Sequence, residues 1–266
     1  MVSWSRYVAI GDSFTEGLWD GPEDGSSPPR GWADRLAGAL SARRDDAGAG
    51  PIEYANLAIR GRLLEPILAG QLPRALALGP DLVSIVGGGN DVLRVTADVD
   101  ALIARMDRAV ARIRATGADV LLATSADPAG SPLIRATRGR AAVYYASIWS
   151  IAQRHGARVV DLWGMRSLRD LRLWAPDRIH LTPDGHRRVA NAALVALGLG
   201  PDDPDWDRPL PPAPRLTAVQ RRRADAAWFT GHTVPWAMRH LRGYSSGDGR
   251  PPKLPEPVPA PAARAR

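Results

Sequence analysis

A chain of 266 residues is long for one domain and short for two. Its 45% hydrophobic and 24% charged content is ordinary for a globular protein, and its zero cysteines exclude disulfides, zinc–thiolate sites and a cysteine nucleophile. The net charge of +7 belongs to the C-terminal part: residues 208–266 hold eleven Lys and Arg against three Asp and Glu, leaving 24 against 25 for residues 1–207, so nucleic-acid binding by the main body is not favoured.

No apolar run reaches the roughly 18–20 residues of a bilayer span. The N-terminus enters a strand without a charged and then apolar leader, so no signal peptide and a cytoplasmic location are expected. Short apolar runs then alternate with longer amphipathic stretches. Strands are expected near 6–11, 52–57, 81–86, 118–124 and 157–162, with helices near 31–47, 62–78, 98–116, 135–155 and 184–198. This order predicts a three-layer α/β/α sandwich, a parallel sheet of about five strands with helices on both faces. Ligand sites in such sheets lie at the carboxyl ends of the strands.

Residues 18–30 read as a long polar loop beside the end of the first strand, a place where loops shape access. The last helix has a defined start, with Thr182 as N-cap, Pro183 at the first helical position and Asp184 in the first turn. From 199 the composition changes. Residues 1–200 are expected to form the main domain, 201–215 a Pro-rich linker, 216–249 a short helical extension with helices at 216–229 and 234–242, and 250–266 a disordered basic tail.

Four short segments carry chemistry. Gly11-Asp12-Ser13-Phe14 runs from a strand into a tight turn that presents a hydroxyl. Alone it is ordinary turn chemistry. Asp177-Arg178-Ile179-His180 places a carboxylate three residues before a histidine, close enough to accept the Nδ1 proton and leave Nε2 for a serine. Gly61 can bring a bare backbone N–H near a substrate, and Asn90 in Gly88-Gly89-Asn90-Asp91 can donate a side-chain amide to the same oxygen. Nucleophile, base, orienting acid and oxyanion donors are the parts acyl transfer requires.

In joint order these segments, with Asn56-Leu57-Ala58-Ile59-Arg60-Gly61 as the second of four, resemble the blocks of the SGNH hydrolases, also called the GDSL esterase/lipase family. Phe14 stands where Leu is usual. The resemblance covers residues 6–198 and implies a flavodoxin-like sandwich with Ser13 as nucleophile, His180 as base and then acid, and Asp177 as its partner. It implies an oxyanion hole of the Ser13 N–H, the Gly61 N–H and the Asn90 amide, with no metal or cofactor. The expected activity is hydrolysis of carboxylic esters through an acyl-enzyme. Without a long apolar segment near 18–30 or 125–134, short acyl or acetyl groups on a small or sugar-like substrate are expected.

Asp12 and Asp91 are expected to brace their turns, Arg178 to be a solvated charge and Arg60 to be either solvated or turned toward the site. An acyltransferase using the same triad is the alternative reading. A second alternative makes residues 208–266 the working part. Arg221, Arg222 and Arg223 with Trp228, Trp236, Arg239 and Arg242 would then bind an anionic membrane, nucleic acid or acidic protein partner. Against it stands docking of Trp206, Trp228 and Trp236 on the domain.

Overall fold

The computed structural model describes residues 2–22, 26–131, 134–213, 217, 219, 228, 231 and 245–265. In chain order the elements are β1 (Arg6–Gly11), α1 (Ser13–Glu16), α2 (Trp32–Asp46), β2 (Glu53–Asn56), α3 (Leu64–Pro66), α4 (Leu72–Ala77), β3 (Leu82–Val86) and α5 (Gly89–Val92). Then follow α6 (Val99–Arg114), β4 (Asp119–Ala123), α7 (Arg138–His155), β5 (Arg158–Val160), α8 (Pro183–Ala196) and β6 (Leu254–Pro259). A π-helical turn, Ile67–Gln71, joins α3 to α4. Pro73 at the start of α4 lacks the N–H that a regular helix would bond there. The turn carries Gln71 to the end of β1, where its amide accepts from Gly11 N–H at 2.8 Å and donates to Gly11 C=O at 2.9 Å.

The sheet order is β5-β4-β3-β1-β2-β6, with the first five strands parallel. The chain leaves β1 for β2 on one side and then crosses to β3 on the other. Loops after β1 and β3 therefore diverge and leave a crevice between them. The strands alternate with period two between buried layers. Tyr7, Ala9, Leu82 and Leu121 join Trp32, Leu36 and Leu40 of α2 and Val189 and Leu194 of α8. Val8, Ile10, Val83, Ile85 and Val120 face Met106 and Val110 of α6 and Tyr144 and Ile148 of α7. Leu36 and Leu40 are fully buried, each worth about 1.5–3 kcal/mol of apolar transfer.

The five expected parallel strands are all present; β6 adds a sixth, antiparallel strand at their edge and orders a stretch of the C-terminal segment expected to be disordered. β6 pairs antiparallel with β2, Glu53 opposite Pro259 and Tyr54 opposite Val258. Ala260 N–H donates to Ile52 C=O at 2.8 Å, so even-numbered residues face β2. Pro255, Pro257 and Pro259 fall on the open side, where a missing N–H costs nothing and blocks further strand addition. Beyond the strand, Ala263 N–H donates to Gly38 C=O at 3.0 Å and Ala265 C=O accepts from Asn191 Nδ2 at 2.6 Å. A tail without an apolar core of its own is thus ordered by backbone pairing against the domain.

The expected linker is likewise anchored. Asn191 Oδ1 accepts from the backbone N–H groups of Asp202 and Asp203, Arg188 donates to the carbonyls of Trp206 and Arg208, and Trp206 and Leu210 pack on the core. The helices expected at 216–229 and 234–242, with Arg221, Arg222, Arg223, Trp236, Arg239 and Arg242, lie outside the described residues apart from Thr217, Val219 and Trp228.

Candidate active site

β1 ends at Gly11, and Asp12 caps the short α1 by accepting from Phe14 N–H at 3.0 Å. Ser13 is thereby the first residue of α1, its hydroxyl 2.8 Å from His180 Nε2. His180 Nδ1 lies 2.7 Å from Asp177 Oδ2. Asp177 Oδ1 accepts from the backbone N–H groups of Ile179 and His180, both at 3.0 Å, a tight Asx turn that fixes the three-residue spacing. Burial acts to raise the Asp177 pKa, but the hydrogen bond and charge of His180 and the two backbone donors outweigh it and hold the carboxyl down at about 2.

The chain from Asp177 to His180 to Ser13 is continuous, and the serine sits where a proton can leave toward Nε2. Trp19, from the loop expected to shape access, donates its indole N–H to Asp177 Oδ2 at 2.8 Å. Trp228 donates to the Asp177 carbonyl at 3.0 Å and is itself buried. The expectation of tail docking therefore holds at Trp206 and Trp228, while Trp236 lies outside the described residues. The Arg178 guanidinium, expected to be solvated, lies 4.8 Å from the Trp228 ring centroid.

Gly61 follows β2 with φ of +71°, and a Cβ there would collide with the Ser245 hydroxyl. Asn90, in α5 after β3, donates its amide to Arg62 C=O at 3.0 Å and more loosely to Asp12 Oδ2 at 3.3 Å. Asn90 is thus tied to the Gly61 loop on one side and to the Asp12-Ser13 turn on the other. Arg60 is turned away from substrate: its backbone N–H and guanidinium bind the buried Glu16 carboxylate at 2.6 and 2.8 Å. Asn56, fully buried, donates to Thr15 C=O and Tyr54 Oη, both at 2.9 Å, and accepts from Ala58 N–H, so it shapes the turn after β2.

Asp12 braces its own turn as expected, whereas Asp91 accepts from Leu64 N–H at 2.9 Å, 27 residues away, and so ties the turn after β3 to the start of α3. Burial pushes Asp12 up to about 6, against the Phe14 N–H and the charge of His180. His186, unnoticed in the sequence, lies under the site with its pKa lowered by burial to about 4. Its Nδ1 accepts from Trp32 N–H and its Nε2 faces Leu18 C=O, both at 3.3 Å, which sets the neutral tautomer with the proton on Nε2.

Ser13, Asn90 and His180 open onto a cleft of about 190 Å³. Val86, Val92, Ile134, Leu162, Leu168 and Trp174 line it. The segment 125–134, which holds no long apolar run, nevertheless contributes Ala126, Pro128 and Ile134 to the lining. Three separated apolar residues make a wall without forming an apolar run, which is why the sequence pattern hides them.

The profile of the GDSL-like Lipase/Acylhydrolase family matches residues 9–188. Among solved structures, LAE5, an alpha/beta hydrolase enzyme from the metagenome of Lake Arreo, Spain, is 28% identical with a TM-score of 0.62, over 73% of this chain and 95% of that one. TesA is 25% identical with a TM-score of 0.56, over 72% and 97%. A tryptophan-to-isoleucine variant of Axe2, an acetyl xylan esterase from Geobacillus stearothermophilus, is 24% identical with a TM-score of 0.61, over 74% and 95%, and bears on the fold alone. No curated protein matches. The chain belongs to the GDSL-like Lipase/Acylhydrolase family and is a serine ester hydrolase with the three-layer fold of that family.

Proposed function

We propose that Ser13 attacks the ester carbonyl and forms an acyl-enzyme whose acyl group is an aliphatic chain held in the cleft. The observation that carries this reading is the relay of 2.8 and 2.7 Å from Ser13 through His180 to Asp177, opening on an apolar wall. As the Ser13 Oγ–carbon bond forms, the hydroxyl proton passes to His180 Nε2, and Asp177 stabilises the resulting imidazolium. The Ser13 and Gly61 N–H groups and the Asn90 amide receive the oxyanion, the looser contact from Asn90 to Asp12 giving way to it. Collapse breaks the bond to the alcohol, which leaves with the proton from His180. Water then repeats the sequence and releases the acid.

The acyl size follows from the cleft. A cavity of about 150 Å³ accommodates benzene, so one of about 190 Å³ fits roughly six to eight carbons on the same scale. Ala126 and Ile134 add apolar surface to the cleft onto which Ser13 opens, which favours aliphatic chains over acetyl. The test is a series of p-nitrophenyl esters from acetate to dodecanoate. A kcat/KM maximum at intermediate chain length supports the reading. A maximum at acetate, with steady decline thereafter, overturns the assignment of the cleft.

A further inference from the structure

Among 35 Lys and Arg residues the chain has a single lysine, Lys253. Its side chain is only 9% exposed. An ammonium has three donors and no acceptor, and removing it from water is costly unless all three are used. Lys253 uses three: Nζ donates to Glu16 C=O at 2.6 Å, to Pro29 C=O at 2.6 Å and to Asp34 Oδ2 at 2.7 Å. The two carbonyls belong to opposite ends of the loop between α1 and α2. At the same neck, Gly17 and Gly31 touch so closely that a Cβ on Gly17 would strike the Gly31 backbone.

The held loop and its base reach both halves of the site. Trp19 on the loop donates to Asp177 Oδ2, the oxygen that faces His180. Glu16, whose carbonyl accepts from Lys253, binds Arg60 immediately before Gly61 through its carboxylate. The same C-terminal segment covers that turn: Ser245 Oγ faces Arg60 C=O at 3.5 Å, and Arg62 donates to Asp248 Oδ1 at 3.1 Å and Gly247 C=O at 3.3 Å. Lys253 lies beyond residues 9–188, which the family profile matches.

We propose that Lys253 is a positioning residue for catalysis, a clasp supplied by the C-terminal strap that closes the neck of the 17–31 loop and so sets Trp19 against Asp177 and Arg60-Gly61 against the oxyanion. The clasp rests on the serine mechanism proposed above. A point charge with three tetrahedral donors suits two carbonyls and a carboxylate, whereas a planar guanidinium does not. This distinguishes Lys253 in a chain that otherwise uses arginine.

The test measures kcat and KM on p-nitrophenyl hexanoate at 25 °C for wild type, Lys253→Met, Trp19→Phe and the double variant, with Ser13→Ala alongside and thermal melts to establish folding. Displacing a catalytic group by about 1 Å costs up to about a hundredfold, so Lys253→Met is expected to lose about ten- to a hundredfold in kcat with KM within about threefold. Trp19→Phe is expected to lose less, and to add nothing to Lys253→Met, since one acts through the other. A folded Lys253→Met with kcat within about twofold of wild type, or fully additive losses in the double variant, overturns the clasp. If Lys253→Met does not fold, Lys253→Gln, which keeps two donors, is measured in its place under the same criteria. Retained activity in Ser13→Ala counts against the serine mechanism, whereas an unchanged kcat in folded Lys253→Met counts against the clasp alone.

Discussion

Replacing Asp177 by Asn should be more damaging than replacing it by Ala. In the native site Oδ1 accepts two backbone N–H groups and Oδ2 accepts from His180 Nδ1 and Trp19 Nε1. An asparagine must turn its single oxygen toward the two backbone donors, which puts its NH2 against His180 Nδ1. The imidazole must then accept at Nδ1 and carry its proton on Nε2, where it cannot take the proton of Ser13. In Asp177→Ala the ring keeps its choice of tautomer and loses only the stabilising charge.

The magnitude follows from the carboxyl itself. Its fall from 3.8 to about 2, achieved against burial with a side chain 13% exposed and shared between His180 and the two backbone donors, corresponds to about 2–3 kcal/mol, or roughly 60-fold, which sets the order of magnitude for loss of the charge. A forced wrong tautomer costs about 10⁴ in kcat in the serine-protease template. Steady-state kcat on p-nitrophenyl hexanoate, with melts to establish folding, is therefore expected to rank wild type far above Asp177→Ala, and Asp177→Ala above Asp177→Asn. An Asp177→Asn enzyme within about tenfold of wild type would refute the tautomer argument.

Three further outcomes follow from the same structure. Asn90→Ala should lower kcat by about 10²–10³ with a small change in KM, and an unchanged kcat in the folded variant removes Asn90 from the oxyanion hole. Val92→Trp enlarges a side chain that lines the cleft and should move the best p-nitrophenyl ester toward acetate; an unmoved optimum places the acyl group elsewhere. The third concerns pH. His186 is lowered to about 4, so its contribution to stability is present above its unfolded pKa and is lost as pH falls from about 6.5 toward 4, about 3 kcal/mol in all. Asp12 is raised to about 6, so its contribution is greatest at low pH and is lost as pH rises through 6, about 3 kcal/mol in the opposite sense. In wild type the two nearly cancel. Denaturant titrations of His186→Gln should show stability falling relative to wild type between pH 4 and 7, and parallel curves would show that His186 does not fold neutral.

β1, β3 and β4 were legible because each is buried along most of its length and reads as a short apolar run. The Asp177–His180 spacing was legible because an Asx turn at Asp177 and a capped helix at Thr182 are local devices. What escaped was non-local or aperiodic. β6 is half proline, a composition that argues against a strand until a partner with a free edge is known. His186 sits on the buried side of α8, where only the packing of Trp32 and Leu18 gives it partners. Glu16 and Arg60 are separated by 44 residues, and nothing near either reveals the other. Lys253 carried a compositional signal as the single lysine, but its three acceptors lie more than 200 residues away.

The central claim, a covalent intermediate on Ser13, is tested most directly by intact-protein mass spectrometry of enzyme acid-quenched during turnover of p-nitrophenyl hexanoate, followed by peptide mapping. The account predicts a hexanoyl increment on the Ser13 peptide that is absent from Ser13→Ala, together with loss of turnover in that variant. Turnover that persists in Ser13→Ala, or an acyl group found on another residue, would contradict it.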